Sequence, residues 1–421
     1  MRIGVNKTII SPEFSVELSG NISTDRKSTG IHDNLFLSVM VIENNEKMVA
    51  LVCADIIGFD LVMVKEFKRS IQSRFGFREE EIFFNASHTH SGPQTLTCML
   101  SLVGKPDASY LAFLRNKLFT AFENALNDLE KAELYSTLTK ANIGISRRLI
   151  SKGKASFAPN ENYPIDDNVT VLKFCTQKKI KAILFNYACH PSVVNTKYVS
   201  ADFPGAAKKT VENHFGHDLV AFFMQGCCGD VRPRTMENAS FRPGTWNDVN
   251  NFGSLLGQIV IDACESGMHK VEDINILTAI SCIYLPLEEI PAREYYEAAI
   301  QQSSPGKKEW AEKMLKNYNN LVNSRSFIIH RISLAKNLMF FGMSGEVCSE
   351  YAFYIRQSYA GGFIVTAAYT NGTEGYIPTS KMLIEGGYEP DESYVYFSFP
   401  SRYDSSIEKI LKKEIKDILT L

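Results

Sequence analysis

The chain has no long apolar run, no basic tract and no surplus of either charge, and each lack removes a class of function. Its longest hydrophobic stretches are strand-length, well short of the roughly 20 residues that cross a bilayer, so no transmembrane segment is expected. Lys and Arg number 45 against 47 Asp and Glu, for a net charge of −2. That balance leaves no electrostatic footprint for a nucleic-acid partner. No Gly-x-Ser-x-Gly elbow occurs, which argues against a nucleophilic serine hydrolase. The opening residues, Met1-Arg2-Ile3-Gly4-Val5-Asn6-Lys7, have no apolar centre of the kind an export signal needs. The nine cysteines are odd in number and lack framework spacing. Cys53, Cys175, Cys189 and Cys282 read as small buried hydrophobes, and adjacent Cys227-Cys228 as a tight loop rather than a redox pair. A reducing, cytoplasmic location without disulfides is therefore expected.

Histidine is also scarce, eight in 421 residues, so where it clusters it carries information. Asn85-Ala86-Ser87-His88-Thr89-His90-Ser91-Gly92-Pro93 follows the strand-like Glu81-Ile82-Phe83-Phe84. On an extended segment, residues i and i+2 share a face, so His88 and His90 read as half of a divalent metal site. Imidazole with carboxylate favours zinc. His190 repeats the setting: an apolar strand, then Cys189-His190-Pro191-Ser192. Asp202, in Ser200-Ala201-Asp202-Phe203-Pro204-Gly205, reads as a helix cap or as a carboxylate steadying a ligand histidine. The loop Gly226-Cys227-Cys228-Gly229-Asp230-Val231-Arg232-Pro233-Arg234 offers Gly229, Asp230 and Arg232 as substrate contacts, with a plain turn as the simpler reading. Arg147-Arg148 reads as an anion holder or a solvated pair. Glu346 opens a helix, where a carboxylate is favoured whatever its role, and is also placed to be a third metal ligand. Tyr376 reads first as a packed aromatic.

A recurring order organises the chain: strand, helix, strand, polar loop. Strands are expected at Met48–Ile57, Glu81–Ala86, Lys181–Tyr187, Asp218–Met224, Asn337–Phe341 and Gly362–Ala368. Helices are expected at Leu61–Phe75 (stopped by Gly76), Asp202–Phe215 and Val347–Tyr359. This predicts an α/β fold of mixed, largely parallel sheets with flanking helices and a site at the carboxyl ends of strands. One catalytic domain over 1–421 is expected, with a helical insertion at 292–325 broken at Ser303-Ser304-Pro305-Gly306 and an amphipathic helix at Ser405–Leu421.

Taken together, Thr29-Gly30-Ile31-His32-Asp33, Ala54-Asp55, Ser87-His88-Thr89-His90-Ser91-Gly92-Pro93, His190-Pro191, Ala201-Asp202-Phe203-Pro204-Gly205, Gly229-Asp230 with Pro233, Gly345-Glu346 and Gly375-Tyr376 resemble the neutral/alkaline non-lysosomal ceramidase family. The pieces span most of the chain in the family's order. The resemblance implies a zinc-dependent amide hydrolase with His88, His190, Glu346 and Tyr376 holding Zn²⁺. It also implies His90 beside the scissile amide and a substrate-contacting arginine, matched by Arg147 with Arg148 one register away. The chain departs from the family in carrying Arg232 where Gly-Asp-Val-Ser-Pro has its serine, in showing no export signal and in showing no C-terminal β-sandwich. These departures predict a small-molecule or lipid-like N-acyl substrate that is smaller or more polar than ceramide. Two other readings stay open: a metallo-phosphoesterase or esterase with Asp55, Asp202 and Asp230 around a second metal, and a non-catalytic, metal-holding ligand binder. Oligomeric state is not set by the sequence.

Overall fold

Runs of apolar residues buried on both faces, such as Val39-Met40-Val41-Ile42 and Ala182-Ile183-Leu184-Phe185, are what strands sandwiched between layers look like. In the computed structural model, which describes residues 1–22, 25–302, 304–359 and 361–421, such runs build three mixed sheets. The first is five-stranded, in the order Ile82–Ala86, Lys47–Ala54, Phe36–Asn44, Arg2–Ile9, Glu130–Lys131. The second, also five-stranded, runs Val220–Gln225, Ile180–Tyr187, Asn168–Cys175, Glu133–Lys140, His269–Lys270. The third has four strands: Leu277–Pro286, Ser324–Ala335, Leu338–Met343, Phe363–Ala367.

The mixed α/β class is as expected, but parallel pairing is less extensive than "largely parallel" implies. Each large sheet has one parallel pair, at the edge where a helix intervenes: Lys47–Ala54 with Ile82–Ala86, Ile180–Tyr187 with Val220–Gln225, Leu338–Met343 with Phe363–Ala367. The connecting helices are Leu61–Phe75, Asp202–Phe215 and Ser349–Ser358. The remaining neighbours in these sheets are antiparallel. Short turns explain this. Asn45 and Glu46, at φ 48° and 65°, form a two-residue connection that can only send the chain back antiparallel.

Helix Leu61–Phe75 starts where the Asp60 carboxylate accepts from the Val62 N–H at 2.9 Å and stops at Gly76, φ 80°. It buries Met63, Val64, Phe67 and Ile71, one face of a 3.6-residue period. The inner faces of the three sheets share one apolar layer, with Leu51, Leu184 and Phe340 among its members. Their parallel edges meet there. Asn85 donates to the Ala368 carbonyl at 2.8 Å and accepts from the Gln225 N–H at 2.9 Å. Asn186 donates to Met224 and Thr366 carbonyls at 2.9 and 3.1 Å. Buried amide side chains thus satisfy edge groups that would otherwise be orphaned. The loops at the carboxyl ends of these strands are brought together as a result.

Helices Arg293–Gln302 and Pro305–Lys316 lie between two paired strands, Leu277–Pro286 and Ser324–Ala335. Ser303, on the expected break, lies outside the described residues. Trp310 and Tyr296 are buried with Leu100, Val103 and Val395, and Lys313 donates to the Cys98 carbonyl at 3.2 Å. This segment therefore supports loops around the site rather than standing apart. The last helix, Ile407–Thr420, buries Ile407, Leu411, Ile415 and Ile418. Two cysteines differ from expectation: Cys282 is exposed and Cys175 half-buried. Cys282 sits on the outermost strand of its sheet.

Candidate active site

Each of the three sheets contributes to one cluster. His88 follows Ile82–Ala86 in the first, His190 follows Ile180–Tyr187 in the second, and Glu346 and Tyr376 follow the strands of the third. The segment is not extended at His88, which takes φ 68°. Such a left-handed turn in a non-glycine residue is costly and belongs to sites where its surroundings enforce it. Here the turn lets His88 Nδ1 reach the Ile57 carbonyl at 2.6 Å. His190 Nδ1 faces two carbonyls, Cys228 at 2.7 Å and Val231 at 2.9 Å. A nitrogen facing a carbonyl must carry the proton. In each ring, when neutral, Nε2 therefore holds the lone pair.

Those lone pairs converge on other acceptors. His190 Nε2 is 3.1 Å and His88 Nε2 3.2 Å from Glu346 Oε2. Tyr376 Oη is 3.3 Å from His190 Nε2, and His90 Nε2 3.3 Å from His88 Nε2. Burial, then Arg147, holds His190 down to a pKa of about 4, so it is neutral at pH 7. Glu346 lies well below the usual carboxylate range: burial opposes this, but His88 and His190 outweigh it. Two imidazole nitrogens, a carboxylate oxygen and a phenol oxygen, in contact at 3.1–3.3 Å, are a donor set that a cation between them would satisfy. Bonds of about 2.0–2.1 Å to a tetrahedral Zn²⁺ put neighbouring ligand atoms about 3.3 Å apart, which is the spacing seen. The donor set fits a metal, and the ligand atoms of His88, His90 and His190 alone lie within 4.8 Å of one another.

A cavity of about 420 Å³ opens over these atoms, and Arg147 and Arg232 also form its wall. Residues 2–251 match the sequence profile described as neutral/alkaline non-lysosomal ceramidase, N-terminal. The chain belongs to the neutral/alkaline non-lysosomal ceramidase family. Among solved structures, neutral ceramidase from Pseudomonas aeruginosa matches with TM-score 0.80 at 16% identity over 99% of this chain and 74% of that one. A ceramidase complexed with C2 gives the same values. At that identity the likeness is one of fold. No curated protein sequence matches the chain.

Within this ceramidase-family chain, Arg147 and Arg148 are both buried, not a solvated pair. A bulge between Ser146 and Arg148 breaks strand alternation and sends both side chains to Glu389. Arg147 Nε reaches Glu389 Oε1 at 2.8 Å and Arg148 Nη1 reaches Oε2 at 2.5 Å. Arg147 also donates to the Gly229 carbonyl at 2.7 Å, and its guanidinium lies 5.2 Å from the Tyr376 ring. Arg148 turns away, toward Glu385 and the Gly386 carbonyl.

Of the three expected substrate contacts, Arg232 lines the cavity and Gly229 and Asp230 do not. Asp230 accepts from the Ser349 N–H at 2.8 Å and hydroxyl at 2.9 Å, fixing the helix that follows Glu346. Gly229 runs so close to the Glu346 segment that a Cβ would lie 2.6 Å from its carbonyl oxygen. Asp202 does not touch the His190 ring. It accepts from the Phe203 and Val193 N–H groups at 2.6 and 3.1 Å and so ties down a loop of the cavity wall. Burial raises its pKa to about 7. A carboxyl raised in the folded state keeps its proton there while the unfolded chain has lost it, so its contribution to stability falls as pH rises from about 4 to about 7. Asp202→Asn should therefore gain on the wild type in urea unfolding between pH 5 and pH 8. A constant difference between the two would rule this out.

Three functional residues escaped the sequence reading. Gln225 donates to the carbonyls of Ser87 at 2.8 Å and Cys189 at 3.0 Å, the residues just before His88 and His190. One buried amide thus sets the spacing of the two histidine loops. Tyr369 donates to Glu346 Oε2 at 3.3 Å. Glu389 lies in the turn Tyr388–Glu392, where nothing local in the sequence marks it as a buried acid.

Proposed function

We propose that this chain is a zinc-dependent hydrolase that cleaves an amide (N-acyl) bond, with His88, His190, Glu346 and Tyr376 holding the ion. The convergence of two imidazole lone pairs, a carboxylate and a phenol on one point carries this reading, and family membership supports it. What zinc supplies when bound is Lewis acidity, which brings water ionisation near neutral pH and polarises a carbonyl. In the reaction, water's oxygen joins the acyl carbon, the C–N bond breaks and a proton passes to the departing nitrogen.

The chain's own residues divide the rest of the work. His90 faces the cavity beside His88, and burial above all, with His88 and His190 close by, lowers its pKa well below the ordinary 6.5. It is therefore neutral at rest, able to take a proton from the nucleophile and return it to the leaving amine. Arg147, held by Glu389 and the Gly229 carbonyl, and the hydroxyl of Tyr376 are the donors for the developing oxyanion. One such preorganised donor is worth about 10²–10³ in rate. Gly20, at φ 85°, passes so close to His90 that a Cβ would lie 2.3 Å from the ring, which fixes the imidazole from the cavity side.

His90→Ala should lower kcat by about 10²–10⁴ while zinc content stays at the wild-type value. Loss of zinc in that variant would make His90 a ligand instead. A two-metal phosphoesterase would need spare acids, and the three candidates are engaged elsewhere. Asp55 is bound to Lys208 at 2.7 Å through each oxygen, Asp202 to backbone amides and Asp230 through one oxygen to Ser349, and none of the three lines the cavity. Hydrolysis of N-acyl amides by zinc-loaded protein, with phosphate esters left intact, is the decisive measurement. No helix among the described residues is long and apolar enough to cross a membrane. Because all three sheets supply ligands, we read residues 1–421 as one catalytic unit.

A further inference from the structure

The cavity holds a positive charge that no carboxylate among the described residues pairs with. Arg147 and Arg148 share Glu389, and Arg148 also meets Glu385. Arg232 has no ion pair among the described residues, and its Nε is buried without a hydrogen-bond partner. Its guanidinium lies 4.2 Å from the Phe241 ring and 5.7 Å from the Phe157 ring, faces that steady a cation without neutralising it. Strand pairing with Ile145 fixes its backbone, and the neighbouring Val231 carbonyl is one of the two that orient His190. The Arg147 guanidinium, 5.5 Å from the same Phe157 ring, links Arg232 to the reacting centre. Burial and the like charge of Arg147 lower the Arg232 pKa only to about 10, so it is charged at pH 7. A half-buried, preformed and unpaired guanidinium in a cavity wall is an anion receptor, with the fork geometry that suits a carboxylate.

The rest of the wall is different in character. Leu96, Met99, Val103 and Phe397 face the same cavity and offer an apolar surface for an acyl chain. Resting on the hydrolase reading above, we propose that Arg232 binds a carboxylate on the amine portion of the substrate, so that the enzyme acts on N-acyl amino-acid-type amides in preference to neutral N-acyl amides. The acyl chain lies against the apolar wall, the scissile amide at the His88–His190–Glu346 cluster and the carboxylate at Arg232.

The test compares N-dodecanoylglycine with N-dodecanoylethanolamine, which share an acyl chain and differ in charge. Zinc-loaded wild type should favour the glycine conjugate in kcat/KM. Arg232→Ser should reduce that preference by about 10–100-fold, the range for a charge-assisted hydrogen bond, with Arg232→Lys intermediate and zinc content unchanged. Equal kcat/KM for the two compounds in the wild type, or a preference that Arg232→Ser leaves within twofold, would overturn the proposal. If neither compound is hydrolysed, the hydrolase reading fails and calorimetric titration decides the Arg232 site separately. Binding of N-dodecanoylglycine that Arg232→Ser weakens by the same factor upholds it; no binding to the wild type overturns it.

Discussion

Replacing His190 with alanine should cost the protein both its zinc and its turnover. The imidazole presents a bare Nε2 to Glu346 and Tyr376 while two carbonyls hold its other nitrogen. Loss of a residue that merely orients a ligand costs about 10–100-fold in metal affinity or activity, and loss of the ligand itself should exceed that. His88→Ala should behave alike. Zinc at about 100 times its dissociation constant should add about 2.7 kcal/mol to wild-type stability, a gain the His190→Ala protein would lack. Metal content, melting temperature with and without zinc, and hydrolysis of an N-acyl amide measure all three effects. Undiminished turnover after exhaustive chelation would end this account of the site.

Glu389→Gln should produce the largest loss of stability. Glu389 and Arg148 are each 1% exposed in their side chains and Arg147 6%, so the network has almost no water to fall back on. Removing one member of a buried ionic group leaves uncompensated charge, at about 3–5 kcal/mol. The midpoint of urea unfolding would show it. The pH dependence follows with a definite sign. Burial pushes the Glu389 pKa up, but Arg147 and Arg148 outweigh it and hold it below the ordinary value. Its stabilisation is therefore complete above the unfolded-state pKa of about 4.3 and disappears as pH falls through the lower folded-state value. The variant should show a flatter acid limb than the wild type. A further consequence is kinetic: with Arg147 loosened, kcat should fall more than KM rises, because the oxyanion donor acts on the transition state. Equal stability of the two proteins at pH 7 would show that the arginines find other partners.

What could be read from the sequence was local. Helices Leu61–Phe75 and Asp202–Phe215 carry their own punctuation, in Gly76 and in the Phe-Pro-Gly start, and both occur at the expected bounds. The three strand–helix–strand units were legible because the hydrophobic period changes within each. The hairpins were not, since the alternation of a buried antiparallel strand is masked when both faces are apolar. At the site, the His88/His90 pair stood out through scarcity and His190 through its matching strand-end setting, whereas Tyr376, locally a packed aromatic, and Glu346, locally a helix-start acid, joined the expected set through the family resemblance. Glu389 and Gln225 could not be found that way. Glu389 is one of 47 acidic residues, and its role exists only because a bulge more than two hundred residues away directs two arginines at it. Gln225 acts through carbonyls that only the docking of two sheets brings within reach. Asp230 shows the converse: a conspicuous Gly-Asp motif whose task is to hold a helix.

The division of the ligands among three sheets also bears on how the protein is assembled and lost. With the proposed donors split among the three sheets, an ion would find its full ligand set only after the layers have docked. An ion held by the proposed ligands would then act as a rivet through all three. Its release rate should then report the opening of the least stable layer, which makes zinc exchange a clock for a motion that ordinary unfolding curves would average away.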